Sequence, residues 1–299
     1  MNQVIIILMN GLTLAALYFL VASGLTLIFG MMRIVNMAHG AFYLLGGYIG
    51  WQILSWTDSW ALGLLGAALV LGLVGVFTYE VFLRWIEKED LRVTLVAIGL
   101  SLILADFMLN GFGGWGLGAI LEFSGWGGTA YTLSLPDFLT GAVSIGPINY
   151  PRGRVFTLGL AIVIGLMLWA FITKTRFGMI VRAGVDDREM VSATGINVRV
   201  VFASVFFLGS ALAGLGGAVG GSTFSLSPGT DIEYLLYSLI VVIVGGMGSI
   251  AGVAIGSLLV GLVSQFALGY IPAWASILTF ALMVAVLVVR PKGIMGRDQ

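Results

Sequence analysis

The chain has 299 residues, of which 59% are hydrophobic and only 9% charged. A soluble domain carries about 25% charged residues, so this composition excludes a water-soluble globular enzyme. Fourteen Lys and Arg are matched by fourteen Asp and Glu, which leaves no basic excess for binding nucleic acid, and the lack of cysteine removes disulfides, thiolate nucleophiles and cysteine metal sites.

Uncharged stretches locate the predicted elements. Residues 1–32 hold no Asp, Glu, Lys, Arg or His, and a first span is expected over 7–29. The start lacks a basic leader and a small-residue cleavage site, so this span is read as retained. Further spans are expected at 38–55, 61–83, 93–112, 153–173 and 200–221. The run 234–289 is also uncharged, and it exceeds the roughly 20 residues that cross a bilayer core. It is broken at Gly245-Gly246-Met247-Gly248-Ser249 and at Gly269-Tyr270-Ile271-Pro272, where glycine and proline interrupt a helix. Three elements result, at about 234–246, 250–268 and 272–289, the first short for a full crossing. The expected fold is an all-α polytopic membrane protein. It is a bundle of about eight to nine hydrophobic helical elements with one short or broken element near 234–246, forming a single transmembrane domain over 1–299.

Charge gives the direction. Arg33, the loop residues Arg84, Lys88 and Arg92, the group Lys174, Arg176, Arg182, Arg188 and Arg199, and the tail residues Arg290, Lys292 and Arg297 fall on one side of nine alternating elements. Arg152 and Arg154 fall on the other, a split of 12 to 2. Basic residues stay inside. The C-terminus is therefore expected in the cytoplasm and the N-terminus outside, with 114–152 an external loop region and 174–199 a cytoplasmic loop.

Small residues recur every four positions at Gly209, Ala213, Gly217 and Gly221, and pair at Gly252/Gly256 and Gly63/Ala67. Such stripes let helices approach closely within a bundle, or they form a subunit interface or sliding surface. Gly111-Phe-Gly113-Gly-Trp-Gly116 matches a dinucleotide pattern. It follows a membrane span, lacks the strand, helix and acid that such a site needs, and is refused. The external loop after it is expected to be an irregular cap.

Polar groups near the membrane are few. His39 is the sole histidine, and Asn36 three residues earlier shares a face with it if both are helical. Glu80 can pair with Arg84. Asp106 interrupts an apolar run, with Asn110 one turn later; a carboxylate there lines a route or has a structural partner. No protease, hydrolase or nucleotide-binding motif is present, so no enzymatic role is expected. In the 174–199 loop, Asp186 or Asp187 can cap a short amphipathic helix over 186–194, with Arg188, Glu189, Met190 and Ala193 on it and Gly195 ending it. It is either a solvated connector or a docking knob for a cytoplasmic protein.

Four segments carry a family resemblance. These are Gly24-Leu-Thr-Leu-Ile-Phe-Gly30-Met-Met-Arg33-Ile-Val-Asn36-Met-Ala-His39-Gly40 and its continuation to Gly46, the loop Arg182–Asn197, the stretch Val244–Gly256, and Arg290-Pro-Lys-Gly293-Ile-Met-Gly296. Together they resemble the LivH-type inner-membrane permeases of branched-chain amino acid ABC importers. The resemblance implies a multi-pass subunit of the bacterial inner (plasma) membrane that works beside a second, LivM-like permease. Two cytoplasmic ATPase subunits would dock on the 174–199 coupling loop and hold the ATP and magnesium. This chain itself would bind no cofactor or metal. A soluble substrate-binding protein would deliver an amino-acid or amide substrate, since urea and short-amide importers have similar permeases. Asn36, His39, Asp106 and Asn110 become candidates for the substrate pathway. Asp186, Asp187, Arg188, Glu189, Met190, Ala193 and Gly195 become candidates for ATPase coupling. A secondary transporter, a membrane enzyme and a purely structural subunit are the rival readings.

Overall fold

A computed structural model describes residues 2–32, 35–87, 89–110, 130–146, 148–186 and 188–296. Eleven α-helices are present among them: α1 (Asn2–Met32), α2 (His39–Thr57), α3 (Trp60–Thr78), α4 (Asp90–Asn110), α5 (Arg152–Lys174), α6 (Arg176–Asp186), α7 (Arg188–Ala193), α8 (Val198–Thr223), α9 (Thr230–Gly245), α10 (Ile250–Tyr270) and α11 (Ala275–Val289). All nine expected hydrophobic elements are helical over their described residues. Among the described residues, seven helical segments are long and apolar enough to cross a membrane, at Asn2–Gly30, Trp60–Leu83, Asp90–Leu109, Arg152–Lys174, Val198–Thr223, Ile250–Tyr270 and Pro272–Val289. α9 has only 16 residues, matching the short element expected there. α2 reaches 19 residues but is less apolar, and its surroundings explain why.

The chain divides into two compact units. The first comprises the described residues of Met1–Arg33, Pro136–Val205 and Tyr237–Gln299. Within it α1 and α10 run antiparallel in close contact. A Cβ added to Gly261 would lie 2.7 Å from the Ala15 nitrogen and the Gly11 oxygen, while Gly269 faces Ile7 and Gly30 faces Gly248. α5 runs beside α1 in the same direction, with Arg154 reaching Asn10 and Gly165 facing Phe19. The Gly252/Gly256 pair of α10 packs on the last turns of α9, against Gly245 and Val241. α11 leans on α10, where the Ser264 and Thr279 hydroxyls lie 3.0 Å apart. Buried hydroxyls on membrane helices find such partners because lipid offers none.

The second unit comprises the described residues of Ile34–Leu135 and Phe206–Leu236. Its centre is α2, in which every residue from His39 to Tyr48 is buried. A helix enclosed by protein need not be apolar on a lipid-facing side, so α2 tolerates His39, Tyr43, Tyr48 and four glycines. α3 and the 206–223 part of α8 wall it in. Gly50 meets Gly63 of α3, Gly217 of α8 sits against the Tyr43 carbonyl, and Gly214 of α8 meets Ala67 and Leu71 of α3. Gly209, Ala213, Gly217 and Gly221 are all buried. That stripe serves packing within the chain and offers no surface to another subunit. On α3 the exposed residues Leu62, Leu65, Leu69, Leu73 and Phe77 form the opposite stripe, the face a span turns to lipid. α3 continues into a wider π turn at Tyr79–Leu83. There Glu80 and Arg84 pair at 3.3 Å, as their spacing predicts.

Two expectations need correction. The described part of the 114–152 loop is irregular only in its first half: Ala142–Ile145 and Ile148–Pro151 pair as an antiparallel hairpin, β1 and β2. Tyr131 and Leu226 also exchange backbone hydrogen bonds. The 174–199 loop holds two helices rather than one, because α6 precedes the short α7. Thr175 starts α6, its hydroxyl accepting the Gly178 amide at 3.1 Å, and Phe177, Ile180, Val181 and Gly184 recur at helical spacing on its inner side. That signal was readable in the sequence. Arg33, Lys88, Asp187, Arg297 and the refused 111–116 glycine motif lie outside the described residues.

Candidate functional site

The sequence-predicted polar pair sits at the start of α2, in the second unit. Asn36 is 3% exposed and His39 fully buried. They do not share a helical face, because the helix begins only at His39. A turn joins them instead. The Asn36 carbonyl accepts the His39 amide at 3.1 Å, and its side-chain Oδ1 accepts the Ala38 amide at 3.1 Å. An asparagine side chain folding onto the amide two residues ahead is an Asx turn, a common way to open a helix.

The start of α9 meets the start of α2 at Gly40. A Cβ there would fall 2.1 Å from the Asp231 carbonyl oxygen and 2.8 Å from Leu235 Cβ, so only glycine fits. Asp231, on the first turn of α9, is 5% exposed. Negative charge there complements the helix dipole. Beyond it Tyr43 and Tyr234 stack with ring centres 4.2 Å apart, and Tyr131 packs edge-on against Tyr48 and tilted against Trp51. Asp231, Tyr43, Tyr48 and Tyr234 escaped the sequence reading. Asp231 marks a helix start just ahead of an uncharged run, but its burial depends on the close approach of Gly40, which no local pattern reveals.

Asp106 has other surroundings. It is exposed on α4, whose Leu91, Leu95, Leu102, Ile103 and Leu109 are exposed too. Asn110 ends that helix. The structure therefore does not place Asp106 in a buried cluster with Asn36 and His39.

The coupling candidates belong to the first unit. α6 turns back sharply from α5, with Gly178 packed on Ile172, and buries Gly178, Val181 and Gly184. On α7, Val191 is 6% exposed and points inward, whereas Met190 is 65% exposed and Ala193 is exposed with it. Gly195 has φ +82°, a conformation that ends the helix as expected. Asp186, Arg188 and Glu189 lie on these helices.

Three further features gather at this end of the first unit. Gly248 donates its amide to Thr26 Oγ1 near the end of α1. Ser249 caps α10 by accepting the Gly252 amide. The tail supplies the Ile294 and Met295 amides to the Val244 and Gly245 carbonyls, each at 2.9 Å. These carbonyls end α9 and need partners from outside the helix. Since α5 follows the direction of α1, the basic residues Lys174, Arg176 and Arg182 share this end with Arg290 and Lys292. Arg152 and Arg154 stand at the other, where Arg154 donates to Asn10 Oδ1 at 2.7 Å. Tyr150 joins them by donating to the same oxygen at 3.1 Å. Among the described residues no cluster of His, Asp or Glu is fit to hold a metal.

Comparison with known proteins covers nearly the whole chain. The family described as "Branched-chain amino acid transport system / permease component" matches residues 7–287. The high-affinity branched-chain amino acid transport system permease protein LivH of Salmonella typhimurium is 28% identical, over 97% of this chain and 94% of its own length. The corresponding permease BraD of Pseudomonas aeruginosa is 28% identical, over 98% of this chain and 95% of its own. A probable LivH of Methanocaldococcus jannaschii is 25% identical, over 98% and 92%.

Proposed function

The chain belongs to the family of branched-chain amino acid transport permease components, and from that premise we propose that it is the membrane-spanning subunit of an ATP-driven importer for branched-chain amino acids. The observation that carries this reading is the match over residues 7–287, which takes in nearly all of the helical bundle and three of the four resembling segments, those at 24–46, 182–197 and 244–256. It is a transport component and not an enzyme.

The family implies an ABC complex with ATPase and binding-protein partners. In the reading proposed here a second, LivM-like permease completes the path. Two ATPases dock on the cytoplasmic face, and a soluble binding protein delivers substrate outside. The protein is multi-pass. Its basic end, with α6, α7 and the C-terminal tail, faces the cytoplasm, in keeping with the excess of basic residues there. Asn36 and His39 border the solute path at the start of α2, a helix whose polar content needs protein or water around it rather than lipid. Asp106 is exposed on α4, and Asn110 ends that helix. A carboxylate is costly against lipid, so this part of α4 turns to the path or to the second permease. Residues 186–195 form the coupling surface, and α7 presents Met190 and Ala193 to the ATPase.

The test is reconstitution of the permease pair with both ATPases in proteoliposomes, with the binding protein outside. ATP-dependent uptake of labelled leucine, isoleucine or valine is expected. Uptake of urea or acetamide in their place would assign the complex to the short-amide importers. Uptake driven by an ion gradient without ATP would make it a secondary transporter.

A further inference from the structure

We propose that the start of α2 is the subsite that holds the carboxylate of the transported amino acid, with the Asn36 side-chain amide as its fixed donor. The inference rests on the importer reading above and adds which group of the solute is read, and by what.

The start of α2 holds donors that lack acceptors. The first amides of any helix have no partner within it. At α2 the Ala38 amide goes to Asn36 Oδ1 and the His39 amide to the Asn36 carbonyl. Neither acceptor serves the next two, on Gly40 and Ala41, and both residues are buried. The Asn36 side chain adds a third. Its orientation is settled by the Ala38 amide, because only the oxygen of a carboxamide can accept. The other end is therefore NH2, and this Nδ2 is buried without a hydrogen-bond partner. A buried amide left unsatisfied is destabilising, and in a native protein such a group calls for an occupant such as a water, an ion or a bound solute.

These donors share a sign and belong to one stretch of chain, Asn36 to Ala41. Asn36 lies over the first turn of α2 through its bond to Ala38. A 19-residue helix directs its positive dipole end there. Helix starts with free amides are sites for carboxylates and phosphates, and transporters use helix ends inside the membrane this way. A carboxylate accepts up to four hydrogen bonds and suits this set of donors. A urea or simple amide brings no negative charge and gains nothing from the dipole, so the site favours amino acids over short amides.

The discriminating variant is Asn36→Asp. Asp and Asn open helices equally well, and an added negative charge at a helix start is itself favourable. A residue that only caps α2 therefore tolerates the change. A residue that donates to a carboxylate does not, because NH2 becomes a charged oxygen. Asn36→Ser keeps an acceptor for Ala38 and removes the donor without adding charge.

The complete importer is reconstituted with wild-type permease, Asn36→Asp or Asn36→Ser, and leucine uptake is measured beside the melting temperature of the purified complex. The expected result is melting close to wild type for both variants, uptake lost in Asn36→Asp, and half-saturation raised about tenfold in Asn36→Ser, the loss of one hydrogen bond to a charged group. Wild-type uptake by both variants would overturn the subsite while leaving the importer reading intact. No uptake by the wild type would overturn the importer reading itself. Should the variants not assemble, the wild-type complex trapped with carboxyl-13C leucine and labelled with 15N-asparagine decides the matter. Dipolar coupling between the leucine carboxyl and an asparagine side-chain nitrogen supports the subsite, and its absence rejects it.

Discussion

Gly46 of α2 and Gly214 of α8 meet backbone to backbone: a Cβ added to Gly46 would lie 2.3 Å from the Gly214 Cα and 2.7 Å from its oxygen. No rotamer relieves such a collision, because the obstacle is main chain. Gly46→Val is expected to destabilise the protein by about 3 kcal/mol or more, the upper range of overpacking. Gly99 of α4, with nothing within 4 Å of its Cβ position, serves as the control. Gly99→Val should leave folding nearly unchanged. Thermal unfolding of the purified protein in detergent compares the two, and equal melting temperatures would contradict the packing described for α2.

The hydroxyl pair of Ser264 and Thr279 offers a measurement of polar contact between membrane helices. Their oxygens are 3.0 Å apart in a buried setting. Thr279 also donates to the Ala275 carbonyl at 3.0 Å, so Ser264 is the natural donor across the helices. Interhelical hydrogen bonds of this kind average about 0.6 kcal/mol in double-mutant cycles. Ser264→Ala, Thr279→Val and the double variant should show coupling of about that size. Strict additivity would mean that the contact contributes only through shape.

The reach of the sequence can be judged residue by residue. Span positions were legible because hydrocarbon imposes length and apolarity directly. The joint at Gly245–Ser249 was legible because Gly246 and Gly248 adopt φ values of +106° and +81°, which favour glycine. What could not be read was enclosure. α2 and α3 both read as spans, yet α2 is buried on all sides near its start and α3 exposes a leucine stripe. Enclosure is decided by partners far along the chain, such as Gly217 against Tyr43. The same limit hid Asp231 and led Asp106 to be grouped with Asn36, since sequence shows an isolated carboxylate but not the side of the helix it occupies. α6 was missed for a different reason. A loop was assumed where basic residues cluster, although the apolar period from Phe177 to Gly184 was present.

Orientation follows from the first unit. Lys174 and Lys292 are exposed at the basic end, and Ser144 is exposed on the hairpin near the opposite end. Single cysteines at 174 and 292 should react with an impermeant maleimide only in inside-out vesicles, and one at 144 only in intact cells whose outer barrier is permeabilised. Labelling of 174 and 292 from opposite sides would contradict the packing of α5, α9 and the tail as well as the charge argument.

Coupling gives the last prediction. α7 is held from both sides: the buried Val191 anchors it to the unit, and α6 and α8 tie it to the rest of the chain. A force applied to such a helix passes to its neighbours as a rigid displacement. Its outward face carries Met190 and Ala193, three residues apart and both exposed. Methionine adapts to an apolar groove, and alanine leaves room for a close approach. Ala193→Trp would overfill that approach. Because Ala193 already faces outward, the larger ring has space in the isolated permease, and expression and melting should stay near wild type. Association with the ATPase should fall at least tenfold, and uptake should fall with it. Ala193→Ser, nearly isosteric, should retain both. Copurification of the ATPase with each permease variant, read beside uptake in proteoliposomes, separates the outcomes. Retained association with lost uptake would place the effect in transmission rather than docking, and wild-type behaviour of Ala193→Trp in both measurements would remove α7 from the coupling surface.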